Sequence, residues 1–246
     1  MYARRVKTVY RAIKILETLG SEGSMGVSEI SRRLKFPKSS TFELLSTLED
    51  EGILEKDRDR NSYRLGLKLF ELGTQAQTEL EIRKVSIPYL KALNRELDET
   101  VHLTVMNEMD VLYIECFEST KRLRTYSVIG VRAPMSCTAV GKAILAYLTS
   151  EEVDAIIKAK GFRKYTGTTL TTRKALLEDL EKTRQRGYSI DNMEHEEGVR
   201  CVGVPVWDHS GRVFAAISVS GRNIEKTGIP RRTLKGNFFV QPLLQS

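Results

Sequence analysis

Few side chains in this chain have chemistry to offer, and they fall into two groups. The first is spread over the later part of the sequence: three cysteines (Cys116, Cys137, Cys201), three histidines (His102, His195, His209), an Asp191 ten residues before Cys201, and a Ser218/Ser220 pair. A thiol nucleophile needs a base beside it and a further group to orient that base. Cys201 follows His195 by six residues, but no G-x-S-x-G elbow and no G-x-x-x-x-G-K phosphate loop accompanies them, so a Cys-dependent enzyme is not expected. Asp191, His195, Cys201 and Cys137 offer oxygen, nitrogen and sulfur donors of the kind zinc takes. A metal-responsive role is therefore the alternative reading, although the spacing matches no metal motif. Adventitious zinc on Asp191 and Cys201 is its weaker form, and no cofactor is required. Ser218 and Ser220 are two apart, so on a strand they share a face. Facing inward, such a pair orients a carboxylate or hydroxyl of a small molecule; facing outward, it meets water. The second group is the run Lys38-Ser39-Ser40-Thr41, a cation and three hydroxyls suited to phosphates and base edges.

The charge distribution separates the two groups. The chain of 246 residues carries a net charge of +7, with 41% hydrophobic and 29% charged residues. Residues 1–38 hold nine Lys/Arg against three Asp/Glu, residues 67–225 are balanced at 22 each, and residues 226–246 hold four basic and no acidic residues. Basic charge at the start calls for a polyanion partner, and the neutral middle does not. No apolar stretch reaches the length of roughly 18 residues needed to span a membrane, and Met1-Tyr-Ala-Arg-Arg has no apolar signal core. An odd cysteine count without paired spacing argues against a disulfide framework, so a cytoplasmic location and no membrane partner are expected.

The elements that must carry these residues are legible in outline. Apolar steps of three and four at Val6, Val9, Tyr10, Ile13, Leu16 and Leu19 predict a helix over residues 4–19 with that stripe buried. Ser28 is placed to cap a short second helix through Ile30 and Leu34, which Pro37 ends. A third helix runs from Pro37 or Lys38 to Asp50, with Phe42, Leu45 and Leu48 inward and Lys38, Ser39, Ser40, Thr41, Ser46 and Thr47 outward. Residues 53–56 and 62–65 flank a polar turn and predict a β-hairpin. Three helices and a hairpin make the winged helix-turn-helix plan, expected over residues 1–66. On that plan the third helix presents Lys38, Ser39, Ser40 and Thr41 to the major groove of double-stranded DNA. Ser28 stands beside it, Arg4, Arg5 and Arg32 reach backbone, and Lys56 or Arg64 on the hairpin touches the flanking groove.

Residues 67–82 read as a helical linker without a Gly/Ser-rich or Pro-rich segment. Residues 83–246 follow as the second domain. Strands are expected at 100–107, 111–117, 124–129, 201–207 and 212–220, with helices at 136–148, 151–158 and 172–186. Hairpins with helices between them predict an α+β domain on an antiparallel sheet.

Several of these segments resemble the IclR family of bacterial transcription regulators. They are Gly187-Tyr-Ser-Ile-Asp191 through Glu194, Gly198, Cys201 and Pro205; Ala215-Ala-Ile-Ser218-Val-Ser220-Gly221; Ser136-Cys-Thr138-Ala-Val-Gly141-Lys142-Ala143; and the N-terminal Val27-Ser-Glu-Ile with Pro37-Lys-Ser-Ser. The resemblance covers roughly residues 4–225 in order. It implies a repressor-type regulator that binds an operator as a homodimer or a dimer of dimers. It also implies a GAF/profilin-like effector domain that holds a small organic acid or other metabolite. Carried over motif by motif, the effector residues it implies are Thr138, Ala139, Asp191, Cys201, Ser218 and Ser220.

Three departures qualify the likeness. Glu43 stands where the family's third helix commonly has Arg, so it is expected either to pair with a Lys or to accept from a cytosine amine. Met135-Ser136-Cys137 stands where the family often has Leu-His-Ala. The tail 226–246 lacks the usual amphipathic helix, and its Gly236 and Pro242 argue against a long one.

Overall fold

A computed structural model describes residues 6–121 and 129–221 of the chain. Arg4, Arg5, all but the last residue of the strand expected at 124–129, and the tail at 226–246 lie outside the described residues. The chain divides into two compact units, Met1–Leu80 and Glu81–Ser246.

The first unit opens with α1 (Lys7–Glu22), α2 (Val27–Leu34) and α3 (Lys38–Asp50). It continues with the strands β1 (Leu54–Asp57) and β2 (Ser62–Leu65), and then α4 (Leu67–Thr78). Gly23, at φ +87°, ends α1 by donating its N–H to the carbonyl of Leu19. Lys35 takes a left-handed conformation between α2 and α3, where the Ser31 hydroxyl donates to the carbonyl of Phe36 (2.7 Å). The core gathers Ile15, Leu19, Met25, Ile30, Leu45, Leu54 and Tyr63. The hairpin pairs Leu54 with Leu65 and Asp57 with Ser62, and its turn is held by Asp57, which accepts the N–H groups of Asp59 and Arg60. A two-way backbone bridge between Met25 and Tyr63 ties the hairpin to the start of α2.

Two helices are rotated from the phase their apolar pattern predicts. Val6, which precedes α1, and Val9, Tyr10 and Ile13 within it are exposed, and the buried side is Ile15, Thr18 and Leu19. The helix is apolar on more than one side, and the core takes the side nearer its C-terminus, where the Thr18 hydroxyl is satisfied by the carbonyl of Lys14 (2.8 Å). In α3, Thr41 and Leu45 point inward, whereas Phe42 is 50% exposed. The Thr41 hydroxyl donates to the carbonyl of Pro37 four residues earlier (2.9 Å), which removes the cost of burying it. The first residue of α2 follows Gly26, which serves as N-cap without a side-chain bond, so Ser28 is an exposed second-position residue and not a cap.

The second unit begins with α5 (Glu81–Leu97), the hairpin β3 (Thr100–Asn107) and β4 (Asp110–Phe117), and a three-residue strand β5 (Arg132–Pro134). Helices α6 (Ala139–Leu145), α7 (Ser150–Lys160) and α8 (Arg173–Arg186) follow, and β6 (Ser189–Asn192), β7 (Arg200–Trp207) and β8 (Val213–Gly221) complete it. Thr149 and Glu152 form a capping box at α7, and Thr172 caps α8. The six strands form one antiparallel sheet in the order β5-β4-β3-β8-β7-β6. Alternation along β8 assigns its faces. Ala215, Ile217 and Val219 join the core that contains Leu90 and Leu93 of α5, and Ala216 joins the core built on α6, α7 and α8. The antiparallel sheet and the two-domain α+β organisation are as expected from sequence. Strands β5 and β6 were not expected.

Candidate functional site

The polar residues of the first unit converge on a groove. Ser28, Lys38, Ser39 and Lys56 line it together with Val27, Glu29, Phe42 and Asn61, so the start of α2, the outer face of α3 and the hairpin meet there. Arg32 is exposed on the following turn of α2. One sequence expectation needs correction. Thr41 is fully buried and belongs to the core. Ser40 is half-buried, and its hydroxyl turns back to the carbonyl of Pro37 (3.3 Å). Arg64 is held by Glu55, its cross-strand partner, at 2.8 Å. Lys56 sits with its ammonium 5.2 Å from the centre of the Tyr63 ring. Glu43 is exposed and, among the described residues, makes no ion pair, so the expected pairing with a Lys is absent.

In the second unit a cavity of about 140 Å³ opens on the sheet face that carries Ala216. Its wall includes all six residues named for an effector: Thr138, Ala139, Asp191, Cys201, Ser218 and Ser220. Strand register explains the convergence. Asp191 faces Cys201 across β6 and β7, Cys201 faces Ser220 across β7 and β8, and Ser218 faces His102 across β8 and β3. The ten-residue spacing of Asp191 and Cys201 is therefore the span of one hairpin. Helix α6 closes the cavity by close approach. A Cβ on Gly203 would lie 2.7 Å from Ala139 backbone, and one on Gly141 would lie 2.3 Å from the Cα of Met135. Ser189 fastens the same junction by donating to the carbonyl of Ala139.

The groups in the wall differ in how much of their bonding capacity is already used. Thr138 caps α6: its hydroxyl accepts from Gly141 N (3.2 Å) and donates to the carbonyl of Pro134 (2.7 Å). Asp191 is 3% exposed, and its Oδ1 accepts the N–H of Glu194 (2.7 Å). Burial pushes its carboxyl up to about 7, aided by the Glu194 carboxylate and opposed by backbone N–H groups and Lys142. His102, 2% exposed, is pushed down to about 4 by burial and is neutral near pH 7. Its Nδ1 lies 3.3 Å from the Ser218 hydroxyl and 3.4 Å from that of Ser220. The Ser220 hydroxyl donates to Cys201 Sγ (3.0 Å), and burial raises the Cys201 thiol far above its ordinary value. Burial thus disfavours the thiolate, the form in which a cysteine attacks, and Cys201 meets the cavity as a thiol.

Sequence reasoning did not assign His102, Tyr113 or Arg132 to this wall. Tyr113 meets His102 edge to face at 5.3 Å, and Arg132 bonds both the carbonyl and the side chain of Asn107. The signal for His102 was available: it alternates with core residues on a strand, in phase with Thr104. Behind the wall, Lys142 is wholly buried between Glu194 (2.6 Å) and Asp179 (2.9 Å). Thr169 and Thr166 donate to the carbonyl of Glu194, so the turn from Asp191 to Glu194 is fixed from both sides. No group of three or more His, Cys, Asp or Glu is placed to hold a metal ion among the described residues. Cys137, Asp191, His195 and Cys201 therefore do not form the ligand set that a metal-responsive reading needs. No helix among the described residues is long and apolar enough to cross a membrane.

A helix-turn-helix unit with an exposed third helix, joined to a sheet domain with a polar-walled cavity, defines a DNA-binding regulator with a separate sensor domain. Family comparison agrees at both ends. Residues 8–58 match the IclR helix-turn-helix domain, and residues 74–232 match the bacterial transcriptional regulator IclR C-terminal domain. The chain belongs to the IclR family of transcriptional regulators. It is 37% identical to the HTH-type transcriptional regulator KdgR of Escherichia coli, over 87% of this chain and 82% of that protein. It is 33% identical to the Transcriptional repressor IclR of the same organism, over 88% of this chain and 80% of that protein. Among solved structures, the Thermotoga maritima IclR matches with a TM-score of 0.70 at 31% identity, covering 94% of this chain and 95% of that one.

Proposed function

We propose that the chain is a one-component repressor. Its first unit occupies a double-stranded operator, and the cavity around Asp191 takes a small organic acid or a similar hydroxylated metabolite. The observation that carries this reading is the cavity wall, where Asp191, Ser218, Ser220 and neutral His102 give acceptors and donors on one buried face. A neutral Asp191 donates to a carboxylate, and an ionised one accepts from a hydroxyl. Thr138 and Ala139 shape the entrance more than they bond, since their side-chain hydroxyl and carbonyl are already engaged. The protein works in the cytoplasm as a homodimer or a dimer of dimers. Supporting self-association, α1 and its N-cap residue expose Val9, Ile13 and Val6, and α4 exposes Leu67 and Phe70 at 73% and 74%. The relative named a transcriptional repressor supports repression as the mode of action.

The test is a metabolite library scored by thermal shift, followed by operator binding with and without each hit. Asp191→Asn and Ser220→Ala should each weaken the response to the hit while the free protein stays folded. An unchanged response in both variants overturns the cavity assignment. Operator release is read separately, because a ligand shifts DNA binding only by its differential affinity for two states.

A further inference from the structure

The outer face of α3 carries two side chains that neither the fold nor the proposal above uses. Phe42 holds an aromatic ring half in water while its neighbours Thr41 and Leu45 fill the core. The ring borders the groove that also holds Lys38, Ser39 and Lys56. Glu43, next in sequence, is exposed and makes no ion pair among the described residues. Both are costly choices for a face turned toward DNA. An exposed ring gains nothing from water, and a carboxylate is repelled by phosphates. Each cost is recovered by one feature of the major groove. The thymine C5-methyl is its apolar group, and the cytosine N4 amine is a donor that a carboxylate accepts from. Adjacent helical residues differ by about 1.5 Å in height and roughly 100° in direction, so the two leave the helix at one level, Phe42 on the groove side and Glu43 further round the exposed face.

We propose that Phe42 and Glu43 are the base-reading residues of this chain, with Phe42 packed on a thymine methyl and Glu43 accepting from a cytosine amine. Lys38 and Ser39 then position the helix on phosphate, and Ser40 and Thr41 hold its first turn. The inference rests on the DNA-binding role of the first unit.

The experiment uses the full chain to enrich sequences from a random duplex pool. The enriched site is then titrated with each thymine replaced by uracil in turn. One replacement should weaken wild-type binding about fourfold, the worth of one buried methyl group. Phe42→Ala should bind that site less tightly and treat thymine and uracil alike, and Phe42→Leu should keep part of the preference. Because Phe42 is half exposed, both variants should fold, Phe42→Ala melting a few degrees below the wild type and Phe42→Leu closer to it. Glu43→Gln should lose its choice of base at one C·G pair and gain affinity for unrelated DNA, since a repelled charge is gone. The thymine–methyl reading is overturned if no replacement weakens wild-type binding, or if Phe42→Ala still prefers thymine. A Glu43→Gln selection that returns the wild-type sequence overturns the cytosine reading. A Phe42→Ala variant that changes only oligomeric state assigns the ring to a protein contact instead. Wild-type binding without an enriched sequence overturns base reading alone, and no DNA binding at all overturns the role on which it rests.

Discussion

Replacing Lys142 with Met isolates the ion cluster behind the cavity. The ammonium is completely buried, 2.6 Å from Glu194 and 2.9 Å from Asp179. Methionine fills a similar volume, so the perturbation is electrostatic and not a void. It leaves two carboxylates without their cation, one of them only 7% exposed at the side chain. Breaking a buried pair by removing one partner costs about 3–5 kcal/mol. Domains have about 5–15 kcal/mol in total, and about 1 kcal/mol moves the melting point by roughly 2–4 °C for a domain of this size. Lys142→Met should therefore lower the melting temperature of the second unit by roughly 6–20 °C. The pH dependence supplies the decisive control. Burial already raises the Glu194 carboxyl above its ordinary value, with Lys142 opposing the shift. Without Lys142 it rises further, so the folded variant takes up a proton more readily as pH falls. The deficit should be largest at pH 8 and shrink steadily toward pH 4, measured by calorimetry of both proteins across that range. A deficit below about 1 kcal/mol, or one that grows as pH falls, refutes the account.

Three further outcomes follow from the same geometry. Asp191 has a folded value of about 7 against an ordinary value of 3.8, so the folded state holds its proton more tightly and stability falls as pH rises through that window. Asp191→Asn keeps an acceptor for the Glu194 N–H and removes that fall. In urea melts it should exceed wild type by up to about 4 kcal/mol at pH 8 and match it near pH 4, and parallel curves would contradict this. Gly141→Ala places a methyl against Met135 backbone, with no flexible atom to yield, and should cost at least the ~3 kcal/mol upper range of overpacking in a denaturant melt. Thr41→Val removes one buried hydroxyl bond to Pro37 and should cost about 0.5–1.5 kcal/mol in stability while leaving the enriched DNA sequence unchanged, a result that selection on the variant checks.

Helix existence was written in local pattern, and helix phase was not. Apolar spacing located α1 and α3, yet both bury a neighbouring side. Burial of Thr41 depends on a carbonyl four residues back, and Phe42 is left half exposed because Thr41 and Leu45 take the core side of the helix. The hydroxyl pair on β8 was legible because strand alternation is rigid. The inward face of His102 was legible in the same way, but its meeting with Ser218 was not, because that depends on register between residues 116 apart in sequence. Lys142 shows the same limit. A lysine in a helical run reads as solvated, and only contacts 37 and 52 residues away bury it. The family likeness named six residues of the cavity wall, but it did not reveal which of them already spend their hydrogen bonds on the fold.

The short outer strands of the sheet bear on how the protein behaves at high concentration. Among the described residues the sheet ends in β5 and β6, of three and four residues, while its four inner strands have eight or nine. Unpaired strand edges are templates for fibril growth, and natural proteins blunt them by shortening them and adding charge. Here one margin carries the exposed Arg132, and at the other the exposed Asn192 accepts from the guanidinium of Arg200. Among the described residues, a sheet rich in Val and Ile thus offers only short margins to a further strand.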